Sequence, residues 1–262
     1  MRRIALALAL VLAACAADAG DGPEPEEGTP LLQIRHEGGF APADFALTNG
    51  PYLTLTRDGL LISAAAVPAI FPGPLVTPYM ASQVSPGEMD QLRGMIEDSG
   101  LPDITDEWDD DASNTVADAH TTVVTYWDDD GNPHRYSVYA LGIQPPRREM
   151  SRAVADMITI LETLTGNDAT DWQGEKYQFV AIPGPIDPGF PDEREWPLEE
   201  TVDTWTELAG MRCAVLDGTV LGEFAEANQA TTFPSPDPAW SDVFRLAVRP
   251  LHPGETGCEM PA

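Results

Sequence analysis

Alternating apolar and polar positions mark the first strands. Leu31 to Arg35 is a short apolar run ending at Gly38-Gly39, Tyr52 to Thr56 alternates, and Leu60 to Ser63 returns after the Arg57-Asp58-Gly59 turn. A second hairpin pairs Thr121–Trp127 with His134–Ala140 across Asp128-Asp129-Asp130-Gly131-Asn132. Helical spacing appears twice. Ser85-Pro86-Gly87-Glu88 reads as a capping box, with Met89, Leu92 and Ile96 on one face and Gly100 as the stop. From about Arg148 to Leu164, Met150, Val154, Met157, Ile158 and Leu161 make an apolar side, closed by Gly166-Asn167. Further on, Tyr177–Ile182, Arg212–Leu216 and Val243–Val248 read as strands, and Asp217 opens a helix to about Asn228. Prolines break the chain at Pro68, Pro72 and Pro74, and again at Pro183, Pro185, Pro188, Pro191 and Pro197. The pattern predicts an α+β fold of antiparallel hairpins with helices packed on one face. It has two β-β-α-like halves, residues 31–166 and 167–262, with proline-rich loops.

The N-terminus obeys a different logic. Arg2 and Arg3 precede an unbroken apolar run from Ile4 to Val11, too short to span a bilayer, and Leu12-Ala13-Ala14 leads into Cys15. This resembles the bacterial lipobox. The resemblance implies a signal peptide over 1–14, lipidation of Cys15, and a palmitate-type acyl anchor on the extracytoplasmic face of the cell membrane. Residues 15–30 are small, acidic and proline-bearing, and read as a tether. The expected address is therefore a cell-surface lipoprotein.

Charge narrows the partners. The formal net charge is −29, from 43 acidic residues against 14 basic ones, and Lys176 is the only lysine. Such a chain repels phosphate backbones, so nucleic acid is not an expected partner. The membrane, through the anchor, and a protein at the cell surface are. A saline habitat and biased codon usage both account for the acidity. With Cys15 lipidated, Cys213 and Cys258 remain, and an even pair in an exported chain predicts a disulfide.

Candidate chemistry is sparse. Acids crowd Asp103, Asp106, Glu107, Asp109, Asp110 and Asp111, and Asp128-Asp129-Asp130 tips the second hairpin. Calcium takes such oxygens, but with Gly131 at the sixth position an EF-hand loop would need acids at Tyr126 and Ser137. Asp128, Asp130, His120 and His134 are the metal candidates, set against a solvated hairpin tip and hydrogen-bonded histidines. Gly-x-Ser-x-Gly and Ser-x-x-Lys are absent. Trp172, Trp196, Trp205 and Trp240, with Phe190 and Tyr177, either form a binding surface beside rigid proline loops or fill a loop-rich core. No cofactor is implied and no catalytic residue is assigned.

Two family resemblances bear on function. The passages His134-Arg135-Tyr136-Ser137-Val138-Tyr139-Ala140-Leu141-Gly142 and Arg212-Cys213-Ala214-Val215 resemble uncharacterised actinobacterial lipoproteins and secreted proteins. The Glu37-Gly38-Gly39-Phe40 strand end, with the order of elements over residues 31–166, resembles emfourin-type inhibitors of thermolysin-like metalloproteases. The expectation is a non-enzymatic binding or envelope-associated module. The alternatives are a protease inhibitor built on the first half and a carboxylate- or metal-dependent hydrolase.

Overall fold

The computed structural model describes residues 28–39, 44–67, 69, 71–110, 115–166, 168–185 and 192–259. The expected signal segment, Cys15 and most of the expected tether lie outside these residues, as do Phe40, Pro68, Ile70, Asp111, Asn167, Pro188, Phe190 and Pro191.

Two mostly antiparallel sheets organise the chain. The first has eight strands: β1 (Pro30–Glu37), β2 (Leu53–Thr56), β3 (Leu60–Ala64), β4 (Tyr79–Gln83), β5 (Asp106–Asp109), β6 (Thr121–Trp127), β7 (Pro133–Tyr139) and β8 (Thr170–Trp172). Their order is β5-β7-β6-β1-β2-β3-β4-β8, so β1 sits inside the sheet between β6 and β2. The second sheet has six strands: β9 (Lys176–Pro183), β10 (Asp192–Glu193), β11 (Thr206–Leu208), β12 (Met211–Asp217), β13 (Thr231–Pro234) and β14 (Val243–Pro250). Its order is β10-β13-β14-β9-β12-β11. Among the paired strands of the described residues, β5 with β7 and β10 with β13 run parallel and the rest antiparallel.

Period-two alternation assigns the faces of the first sheet. Leu32 and Ile34 of β1, Leu53 and Leu55 of β2, Val124 of β6, and Tyr136 and Val138 of β7 point one way. There they meet Leu92 and Ile96 of helix α2 (Pro86–Ser99) and Val154, Met157 and Leu161 of helix α3 (Glu149–Leu164). Helix α2 starts where the capping box requires: Ser85 Oγ accepts from Glu88 N, and Glu88 accepts from Ser85 N at 2.9 Å. It stops at Gly100, whose φ of 83° is left-handed and suits a residue without Cβ. Helix α3 closes through Thr165 rather than Gly166.

The second sheet is built differently from the expectation. Among the described residues of 167–262 there is no α-helix, so this half is sheet-rich and not β-β-α-like. The stretch after Asp217 is a 3-10 helix over Gly218–Phe224, with Asp217 capping Thr219 N at 2.9 Å. Gly218 and Gly222 weaken α-helix there, as do the branched Thr219 and Val220. One face of this sheet carries Phe179, Phe233, Phe244 and Leu246, and an aromatic layer of loops covers it. The other carries Val180, Ile182, Met211 and Cys213, packed with Leu47 of the short helix α1 (Phe45–Thr48). Cys213 and Cys258 form the disulfide, which ties the C-terminal tail to β12.

Candidate functional site

The face of the first sheet opposite the helices is polar. Gln33, Arg35 and Glu37 of β1 share it with Thr54 of β2, Val123 and Thr125 of β6, and Arg135 of β7, each alternating with a residue of the apolar core. The tail from Leu251 to Cys258 crosses toward this face, bringing Arg249 and Gln178 of the second sheet with it. Between them lies an open cavity of about 300 Å³ whose charged lining is Arg35, Arg135, Arg249, Glu37, Glu255 and Glu259.

Glu255 is the centre of the buried part. Its side chain is 7% exposed, and its carboxylate accepts from Arg35, from Arg249 Nη1 at 2.8 Å, and from the amide of His252 at 2.7 Å. Burial raises its pKa, but the charge and hydrogen bond of Arg249, helped by Arg35 and His252, outweigh that and hold the carboxyl below its ordinary range. Arg249 also donates to Gln178 Oε1 at 3.2 Å, and that oxygen accepts from Cys258 N at 2.9 Å. The residue is 5% exposed, yet its Nε has no hydrogen-bond partner in the described structure. Arg135, at the open end, donates to Glu37 at 3.0 Å.

His252 sits deeper, 2% exposed, with Nδ1 at 2.8 Å from Thr54 Oγ1 and its ring 4.4 Å from that of Tyr79 and 5.0 Å from that of Trp172. Burial is the main cause that lowers its pKa to about 3, so the imidazole is neutral at physiological pH.

The residues singled out from sequence fall elsewhere. His120 and His134 flank opposite ends of the β6–β7 ladder, because His134 pairs with Tyr126 and His120 accepts from Ala140. His120 instead meets His36, ring centroids 4.3 Å apart; burial and then His120 lower the His36 pKa to about 4, against an opposing pull from Glu162. His134 Nδ1 contacts the carbonyl of Ile104, and its Nε2 lies 3.4 Å from Asp128. Asp128 Oδ1 accepts from the amides of Asp130 and Asn132 at 3.0 and 2.7 Å, which shapes the hairpin tip. Asp109 is buried, accepting from Ser151 and from Tyr136, with Arg148 at 3.4 Å. Among the described residues no group of three or more His, Cys, Asp or Glu is placed to hold a metal ion.

Of the tryptophans, Trp196 lies within 6 Å of Trp205, Phe224, Phe233 and Phe244, inside the aromatic layer of the second sheet. Trp240 lies under the Arg212 guanidinium at 4.5 Å, and Trp172 flanks Tyr79 and His252. The exposed one is Trp108, at 53%. It lies on edge strand β5, in register with Ser137 and so on the polar face. Sequence reading missed Trp108, Arg35, Arg135, Arg249, His252 and Glu255. The one available signal was the polar residue at every second position of β1.

Comparison of the chain with protein-family models, with curated protein sequences and with solved structures gives no match.

Proposed function

We propose that this chain is a lipid-anchored module on the extracytoplasmic face of a bacterial membrane, and that it binds a ligand without transforming it, through the polar face of the first sheet. The observation that carries the reading is the open cavity of about 300 Å³ beside β1, where three arginines of an otherwise acidic chain converge with three glutamates. Trp108 adds an exposed aromatic surface on the same face.

Binding is favoured over catalysis by the state of the titratable groups. Glu255 is clamped by two guanidiniums and holds no proton to give near neutrality, while His252 is neutral and closed off from the cavity's opening. The anchor rests on the Cys15 lipobox and its acidic tether.

Cross-linking on intact cells, with the native chain beside an Arg135→Gln variant, tests the reading. A reproducible neighbour that is lost in the variant supports it. A neighbour captured equally by both would move the working surface off this face. Release of a Cys15→Ser chain into the medium tests the anchor, and retention at the membrane would count against it.

A further inference from the structure

The first sheet ends at an open edge. Strand β5 is its outermost strand and, among the described residues, pairs with β7 alone. One bond fixes the phase of that pairing: Arg135 N donates to Thr105 O at 2.9 Å. In a parallel ladder, residues bonded to the neighbour alternate with residues whose backbone faces away. Thr105, Glu107 and Asp109 therefore turn their backbone toward β7, and Asp106 and Trp108 turn N–H and C=O outward. Unpaired backbone groups on an exposed edge are a template for one more strand.

The side chains select which strand. Asp106 and Trp108 lie on the polar face, in register with Arg135 and Ser137. Trp108 is 53% exposed, and Asp106 and Asp110 are exposed with no ion pair among the described residues. Arg135, beside Asp106, is paired with Glu37. On the other face of β5, Arg148 lies 3.1 Å from Glu107 and 3.4 Å from the buried Asp109. The acidic charge of the edge is thus compensated on one face and uncompensated on the other.

That asymmetry rules on the occupant. A second copy of this edge would set carboxylates against carboxylates, which is unfavourable for directly opposed residues. An arginine or lysine beside Asp106 gains where a carboxylate loses, and an arginine over the indole of Trp108 adds a cation–π contact. The field of a chain with a formal charge of −29 also draws a basic segment toward it.

We infer that the β5 edge accepts an extended basic segment of a partner protein as an added strand. Its arginines or lysines fall at every second position, on the side of Asp106 and Trp108, and its uncharged residues on the side of Glu107 and Arg148. The inference rests on the binding reading and names a partner class at the rim of the same face. It requires neither the cavity nor the lipid anchor.

Titration of the native chain in detergent with a labelled peptide alternating arginine and threonine, followed by fluorescence anisotropy, tests it. The expected result is saturable binding, with hydrogen exchange slowed at the amides of Asp106 and Trp108. Trp108→Ala and Asp106→Asn should each weaken binding about fivefold, with unchanged thermal midpoints. A fully N-methylated peptide of the same sequence should bind about tenfold more weakly or worse, since it cannot donate to the edge. Equal binding of the N-methylated peptide would rule out strand addition. Equal binding of a peptide with its arginines in one block, or by Trp108→Ala, would reduce the effect to attraction by an acidic surface. Either result, self-association of the chain through β5, or no binding overturns the proposal. If no peptide binds but Arg135→Gln still abolishes the cellular cross-link, the edge falls and the binding reading stands.

Discussion

Glu255 stands between two guanidiniums from different sheets, and its neighbours make its charge indispensable. Glu255→Gln leaves Arg35 and Arg249 facing an amide in a buried setting, and the expected cost is about 3–5 kcal/mol in urea unfolding, the range for breaking a buried ion pair on one side. His252 and His36 give the pH dependence its sign. Their folded pKa values of about 3 and about 4 lie below the ordinary histidine value of 6.5, so between these limits the unfolded chain takes up protons that the folded chain refuses. Stability is therefore expected to hold above pH 6.5 and to fall as pH drops from there toward 4. The lowered pKa of Glu255 extends the loss further into acid, since its contribution disappears as it protonates. Urea midpoints measured across this range should show a shallower slope in a His252→Asn variant; an unchanged slope would assign the effect to other groups. Trp108 is the opposite kind of residue. Trp108→Ala should leave the midpoint within about 0.5 kcal/mol, as expected of an exposed edge position, while reducing binding on the polar face.

At the level of elements, legibility in the sequence followed the strength of local signals. The capping box of α2, the β2–β3 turn at Gly59 and the β6–β7 hairpin are local features, and the structure has them within a residue or two. Ser85→Ala removes the cap and should cost about 1 kcal/mol, seen as a lower thermal midpoint. Strand β5 escaped notice because Asp106-Glu107-Trp108-Asp109 has little strand propensity; it is held by parallel pairing to β7 and by Asp109 binding Ser151 and Tyr136. Strands β8 and β10 are three and two residues long, too short to show a period. The helix expected after Asp217 became a 3-10 turn because a cap starts a helix but cannot sustain one through Gly218 and Gly222. The cavity was illegible for another reason. Arg35 and Glu255 are 220 residues apart, and in an acidic chain a single glutamate near the C-terminus looks like one more solvated charge.

For the molecule as a whole, the tail is the joint between two differently built layers. It is fixed to the first sheet by Glu255–Arg35 and His252–Thr54, and to the second by Glu255–Arg249 and the disulfide. Cys213 and Cys258 enclose a separation of 45 residues, for which the chain-entropy model gives a contribution of about 4 kcal/mol. A Cys213→Ser/Cys258→Ser double variant should lose stability on that scale under denaturant, and should also weaken binding at the polar face, because the tail forms one wall of the cavity. Retained binding in the unlinked protein would show that the ion pairs alone hold that wall. The position of β1 has a mechanical side. The strand begins at Pro30, against which Gly254 of the tail is closely packed, and is bonded to β6 on one side and β2 on the other. If the proposed lipid anchor at Cys15 holds the chain, drag pulls along the axis of that strand, across the direction of its hydrogen bonds. Two ladders would then share the tension side by side instead of peeling open one bond at a time.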